Sequence, residues 1–147
     1  MDRAERAAEL FLSGYNCAQS VAAAFSDMTG IGETASAKMV SGFGGGFGRL
    51  REVCGAVSGM VMVASILYGY DKPDPEAQHA CYAMIQQLVK EFQEQTGSMI
   101  CRDILRNPPS DPAPSPRTAE YYAQRPCARM VMVATQILDT YIKEHPV

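Results

Sequence analysis

The 147-residue chain has no tryptophan, only two histidines and no run of basic residues. Each of these lacks removes a class of function. With 13 Lys and Arg against 16 Asp and Glu the net charge is −3, and without a basic stripe there is no electrostatic footprint for nucleic acid. His79 and His145 lie far apart in the sequence, which leaves little for a histidine-rich metal site or a Cys-His dyad. The longest uncharged stretch, between Glu52 and Asp71, contains Gly55, Ser58, Gly59 and Ser65. It falls short of the ~20 apolar residues that a membrane span needs, so no membrane insertion is expected. The opening residues, Met1-Asp2-Arg3-Ala4-Glu5-Arg6, mix both charge signs and carry no apolar segment, which argues against a secretory leader and makes the cytoplasm the expected location. Phosphate-binding fingerprints are absent too: the glycines between Gly42 and Gly48 fit neither the spacing of a dinucleotide loop nor one ending in Gly-Lys-Ser/Thr.

What is present is the composition of one globular domain over residues 1–147, 47% hydrophobic and 20% charged. Periodicity predicts an all-α class, a compact bundle of about five to six helices with a Gly-rich and a Pro-rich loop. A first helix runs from Asp2 to Leu12, and a second begins at Cys17 behind the cap residue Asn16, continues through Met28 and stops at Gly30-Ile31-Gly32. A short helix over Thr34 to Val40 precedes the glycine-rich stretch Gly42 to Arg49, read as a loop with unusual backbone angles. A core helix from Glu52 to Tyr68 has Gly55 and Gly59 on one bare face, open to close approach by another element. The same face would suit a homodimer. Another helix starts near Pro73-Asp74-Pro75-Glu76 and runs to Gln95, with Ala77, Cys81, Met84, Ile85, Leu88, Val89 and Phe92 as its stripe. Five prolines between Asn107 and Pro116 exclude regular structure there, and a last helix opens at Arg125-Pro126-Cys127.

Four of the five cysteines, Cys17, Cys54, Cys101 and Cys127, fall at or near the predicted start of a helix. A helix N-terminus presents unpaired N–H groups and the positive end of the macrodipole, both of which favour a thiolate. Thiols so placed can have their pKa lowered to roughly 3.5–7.5, where they attack disulfides or bind metals. Cys81 differs, lying mid-helix on an apolar stripe, and reads as core packing. The five cysteines include no Cys-x-x-Cys pair, so neither a thioredoxin-like motif nor the common zinc-ribbon spacing is present. Gly44, Gly45, Gly46 and Gly55 are candidate cofactor-binding or anion-nest residues around Cys54, with a tight helix connection as the plainer use of the same glycines. Arg49 and Arg51 flank that site, and Tyr15, Tyr121 and Tyr122, near cysteines in sequence, read as packing residues with polar tips.

These residues also carry a resemblance. Gly14-Tyr15-Asn16-Cys17-Ala18-Gln19, the glycine loop leading into Cys54-Gly55-Ala56-Val57-Ser58-Gly59, and the later single Cys101 and Cys127 resemble the putative redox-active protein family, with one Cys, a CGAxxG motif and two further Cys. The resemblance spans Tyr15 to Cys127 and implies that Cys17, Cys54, Cys101 and Cys127 are the family cysteines, leaving Cys81 outside. It further implies a bacterial or archaeal source, genes near those of transporters, and related domains beside redox centres such as haems.

Three functions stay open at this point. In the first, a thiol–disulfide oxidoreductase needing no cofactor, Cys54 is the attacking thiolate and another cysteine resolves it, serving an unidentified redox partner. In the second, Cys17, Cys54, Cys101 and Cys127 are metal ligands that enclose an iron-sulfur cluster or another soft metal, which requires all four sulfurs to converge. The third is a helical interaction protein with incidental cysteines.

Overall fold

The computed structural model, which describes residues 1–147, has ten α-helices and no β-strand. Six of them reach seven residues or more: α1 (Arg3–Leu12), α2 (Cys17–Ala24), α4 (Glu33–Met39), α6 (Gly55–Tyr68), α7 (Pro75–Thr96) and α10 (Cys127–Glu144). These match the six helices that the periodicity predicts. Four short ones lie between them, α3 (Ser26–Thr29), α5 (Gly44–Phe47), α8 (Cys101–Leu105) and α9 (Ala119–Gln124).

The caps follow from local chemistry. Asp2 and Asn16 each close a capping box, with Glu5 and Gln19 reaching back to the cap backbone. Asp74 caps α7 ahead of Pro75, and Gly97 ends that helix in the left-handed region at φ 94°. The predicted second helix is broken. At Phe25 the backbone leaves helical geometry (φ −106°, ψ 15°), and the Ser26 hydroxyl donates to the Ala23 carbonyl at 2.7 Å, competing locally with helix continuation. The core helix also starts later than predicted, at Gly55. Residues 51–54 are drawn off into pairing with residues 99–102: the Cys54 N–H donates to Met99 O at 2.7 Å, and the Cys101 N–H donates to Glu52 O at 2.6 Å. Val53 and Ile100 form a single antiparallel bridge there.

Helix α2 is the centre of the packing, in contact with α1, α4, α6 and α10. Its approach to α6 is close because Gly59 has no side chain: a Cβ there would stand 2.7 Å from the Ala18 carbonyl oxygen and 3.1 Å from the Val21 Cβ. The bare glycine face is therefore filled within the chain. From α6, Ala56, Val57, Met60, Val63 and Ala64 are buried, the larger of them contributing about 1.5–3 kcal/mol each. Arg3 ties three elements together, donating to Asp139 on α10 at 3.0 Å, to Ala24 O at 2.7 Å and to Asp27 Oδ2 at 3.0 Å, with its guanidinium 4.7 Å above the Phe25 ring. None of the helices is long and apolar enough to cross a membrane.

The glycine-rich stretch is not an open loop. A 3₁₀ turn over Ser41–Phe43 runs into α5, whose hydrogen bonding is helical although Gly45 and Gly46 are left-handed (φ 67° and 73°). Phe47, Gly48, Arg49 and Arg51 are left-handed as well, at φ 63°, 59°, 70° and 63°. In non-glycine residues this conformation costs roughly 1–2 kcal/mol each. The strain falls on the segment that leads into Cys54.

Candidate functional site

Each of the four helix-start cysteines stands where its sequence position predicts. Cys17, Cys101 and Cys127 are the first residues of α2, α8 and α10, and Cys54 is the residue that precedes α6. The fold brings all four to one cavity of about 390 Å3. Four local devices do this. The Asn16 capping box starts α2, Pro126 starts α10, Gly55 lets α6 reach α2, and the Val53–Ile100 bridge sets Cys54 and Cys101 on neighbouring strands of backbone. Cys81 is buried in α7 and does not line this cavity. All five cysteines are free thiols, and no three His, Cys, Asp or Glu side chains converge as a metal-ligand set. The four sulfurs surround a space instead of meeting at a point.

Of the candidate glycines, Gly44, Gly45 and Gly55 line the cavity, while Gly46 is buried and does not line it. A Cβ on Gly55 would lie 3.2 Å from the Cys17 Cβ, and one on Gly46 would lie 2.6 Å from the Glu52 nitrogen and 2.9 Å from the Cys101 Cβ. The glycines thus act chiefly by letting cysteine-bearing backbone come close. The backbone amides that favour a Cys54 anion are those of Ala56 and Val57 in the first turn of α6, not those of the glycine loop, whose use here is the tight connection.

The wall is basic. Arg49, Arg51, Arg117 and Arg125 line the cavity, and no acidic residue, lysine or histidine does. Arg51 is buried at 5% exposure, its Nη1 3.7 Å from the Cys101 sulfur and its Nε donating to Pro109 O at 2.9 Å. Arg49 donates to Ser115 Oγ at 3.0 Å, so the proline-rich segment closes one side of the cavity. Arg117 lies over the Phe11 and Tyr121 rings, at 4.6 and 5.1 Å, and donates to the Tyr15 carbonyl at 3.1 Å. Arg125 stacks on the same Tyr121 ring, 5.0 Å from its centroid.

Sequence reasoning foresaw Arg49 and Arg51 but missed Arg117 and Arg125, and it read Tyr121 as a packing residue although it lines the cavity. For Arg125 a signal existed in its place two residues before Cys127. Arg117 stands four and five residues before Tyr121 and Tyr122, which it contacts, but its bonds to the Phe11 and Tyr15 carbonyls span about a hundred positions and leave no local signal.

Protonation separates the four thiols and reverses the expectation for Cys54. Burial pushes the Cys54 thiol up to about 12, against the pull of the Ala56 and Val57 amides. Burial likewise raises Cys101, with Arg51 opposing. A hydrogen bond between the Cys17 and Cys127 sulfurs raises Cys17 well above its usual range. The same hydrogen bond, against the cost of burial and helped by Arg125, Arg117 and Arg51, lowers Cys127 to about 7. Of the four thiols, Cys127 is the one held toward its thiolate, beside Cys17 and under the field of Arg125, Arg117 and Arg51.

The model of the putative redox-active protein family, labelled C_GCAxxG_C_C, matches residues 15–141. The label writes the central motif Gly-Cys-Ala, whereas the chain reads Cys54-Gly55-Ala56, with Gly59 closing it. No curated protein and no solved structure gives a match.

Proposed function

The chain belongs to the putative redox-active protein family, and from that premise we propose that it is a thiol–disulfide redox protein in which Cys127 attacks and Cys17 resolves. The observation that carries this reading is that Cys17 and Cys127, at the starts of α2 and α10, face one cavity lined by four thiols and four guanidiniums. A thiolate with a pKa near the ambient pH is close to the optimum for attack, since it is ionised yet still nucleophilic.

The steps balance without a cofactor. The Cys127 thiolate forms a bond to one sulfur of a substrate disulfide, whose S–S bond breaks and whose other sulfur leaves as a thiolate. Cys17 then loses its proton and attacks the Cys127 sulfur of the mixed disulfide, releasing the second substrate thiolate. Two protein thiols are oxidised to the Cys17–Cys127 disulfide, and one disulfide is reduced to two thiols. A redox partner must reduce the protein again.

A four-thiolate iron-sulfur or soft-metal centre remains the second reading, supported by the four cysteines sharing one cavity. It would need the side chains to close on a common point that they do not now share.

The test is a redox titration of free thiols on protein purified without oxygen and without chelator, alongside iron, zinc and sulfide analysis. Two thiols lost on oxidation in the wild type and in Cys81→Ser, but not in Cys127→Ser, is the expected result. An unchanged titration in Cys127→Ser overturns the reading, and stoichiometric iron with visible charge-transfer bands replaces it with the cluster.

A further inference from the structure

The arginines of the cavity do more than their sulfur contacts require. Arg51 is 5% exposed and its Nη2 is buried without a hydrogen-bond partner; the buried Nε of Arg49 has none either. Leaving a buried charged donor unmet costs more than the ~1–3 kcal/mol of a neutral one, and native proteins seldom leave such groups empty-handed. Asp111, outside the lining, reaches the Arg49 guanidinium at 3.8 Å, but no carboxylate lines the cavity and none pairs with Arg51, Arg117 or Arg125, in a chain whose net charge is −3. The site is an electropositive cavity in an acidic protein, and two of its guanidiniums each keep a buried donor unpaired.

Size and access narrow the acceptor. About 390 Å3 is at the small end of the range for small-molecule sites. Ile104, Leu105 and Met130 add apolar lining to the cavity, which suits a ligand with methylene groups between charge and sulfur. Cys54, Cys101 and Cys127 are 5%, 7% and 8% exposed, so a disulfide on a folded protein surface could not be brought to them as a small molecule entering the cavity could.

We infer that the cavity binds a carboxylate-bearing low-molecular-weight disulfide, with its carboxylate held by the Arg49 and Arg51 guanidiniums of the lining and its sulfurs toward Cys127. The sulfur part rests on the thiol–disulfide reading; the anion part does not. In the reaction the ligand's S–S bond is reduced to two carboxylate-bearing thiols while Cys127 and Cys17 are oxidised to a disulfide, so electrons and protons balance between the two.

Two measurements separate the parts. Adipate, which replaces the S–S of dithiodiglycolate by two methylenes, is titrated calorimetrically into the reduced protein. Binding to the wild type that weakens at least about tenfold in Arg51→Gln, and also in the less buried Arg49→Gln, is expected for the loss of charge-assisted hydrogen bonds. Circular dichroism establishes that each variant is folded, and if Arg51→Gln is not, Arg49→Gln decides. No adipate binding by the folded wild type, or undiminished binding in a folded variant, overturns the anion site whatever the redox result. Second, the wild type is oxidised by dithiodiglycolate and by neutral bis(2-hydroxyethyl) disulfide at equal concentration. A preference of at least about tenfold for the dicarboxylate is expected, against the repulsion that slows a dianion's reaction with a free thiolate. Equal rates overturn the proposed substrate class and leave the redox reading standing. Reaction with neither disulfide, adipate still binding, overturns the redox reading and the sulfur part of this inference together.

Discussion

Removing Cys17 is the sharpest perturbation of the site, because its hydrogen bond is the largest cause holding Cys127 near a pKa of about 7. A hydrogen bond to a charged group contributes about 1.5–3 kcal/mol, and about 1.4 kcal/mol corresponds to one pH unit. Cys17→Ala should therefore move the ionisation of Cys127 upward by at least about one pH unit. At pH 7 the thiolate fraction falls from about one half to about one tenth or less, a roughly fivefold or larger loss of reactivity. The assay is the rate of carbamidomethylation by iodoacetamide across pH 5 to 10, followed peptide by peptide by mass spectrometry. Burial slows every absolute rate in the cavity, so the quantity to read is the midpoint of each profile. The wild-type Cys127 profile should rise through about pH 7, while Cys54, pushed up to about 12, stays almost unmodified over the same range. A Cys54 profile with the lower midpoint, or an unmoved Cys127 midpoint in Cys17→Ala, refutes the assignment of the thiolate.

Three further outcomes follow from the same geometry. Gly59→Ala places a Cβ 2.7 Å from the Ala18 carbonyl oxygen, backbone that cannot swing aside; it should lower stability by about 1–3 kcal/mol in urea unfolding. Gly46→Ala combines a left-handed φ of 73° with a Cβ 2.6 Å from the Glu52 nitrogen, so a loss of at least about 1–2 kcal/mol is expected, together with a changed Cys101 alkylation rate. Alkaline stability tests Cys54: its folded pKa of about 12 lies above its ordinary 9.0, so the folded state retains a proton that the unfolded state gives up. The stabilising effect is complete below pH 9 and is lost as pH rises toward 12, by about 1.4 kcal/mol per pH unit. Cys54→Ala should flatten that decline in denaturant titrations at pH 8 to 11, and an unchanged slope would show that the thiol ionises normally.

The readable parts of this protein are those decided within a few residues. Asn16 with Gln19, Pro75 behind Asp74 and Pro126 ahead of Cys127 act over one helical turn, and they place Cys17, α7 and Cys127 where the sequence says. The bridge that aligns Cys54 with Cys101 is a single residue pair, Val53 and Ile100, too short to leave an alternating pattern. It shortens the predicted core helix by pulling residues 52–54 away. The misplaced thiolate has an energetic cause. A helix start stabilises a negative charge by about 0.3–1 kcal/mol at the surface, whereas a pKa raised from 9.0 to about 12 corresponds to about 4 kcal/mol. Burial wins at Cys54, and burial depends on the whole fold. At Cys127 the same burial is outweighed by a donor from α2 and guanidiniums from the segments before α6 and α10, none of which is near it in sequence except Arg125.

The left-handed run from Gly45 to Arg51 joins the two halves of that problem. Gly45, Gly46 and Gly48 take positive φ at little cost, and they turn the chain tightly enough for Gly46 to pass under Cys101. Arg49 and Arg51 take the same conformation without a glycine's freedom, at roughly 1–2 kcal/mol each. A glycine at 51 would relieve that strain, but it would also remove the guanidinium 3.7 Å from the Cys101 sulfur and the buried open donor beside it. The backbone is strained where the side chain is useful. An arginine held this way is fixed in direction before any ligand arrives, by Pro109 at one nitrogen and Cys101 at another, so an anion that binds it meets a donor already ordered. The same fixed charge lowers Cys127, and neutralising it with a bound anion would raise that thiol again. Anion and thiolate therefore compete for one field, and a ligand that brings both charge and disulfide has to gain more from its placement than it loses in thiolate fraction for the expected preference over a neutral disulfide to be seen.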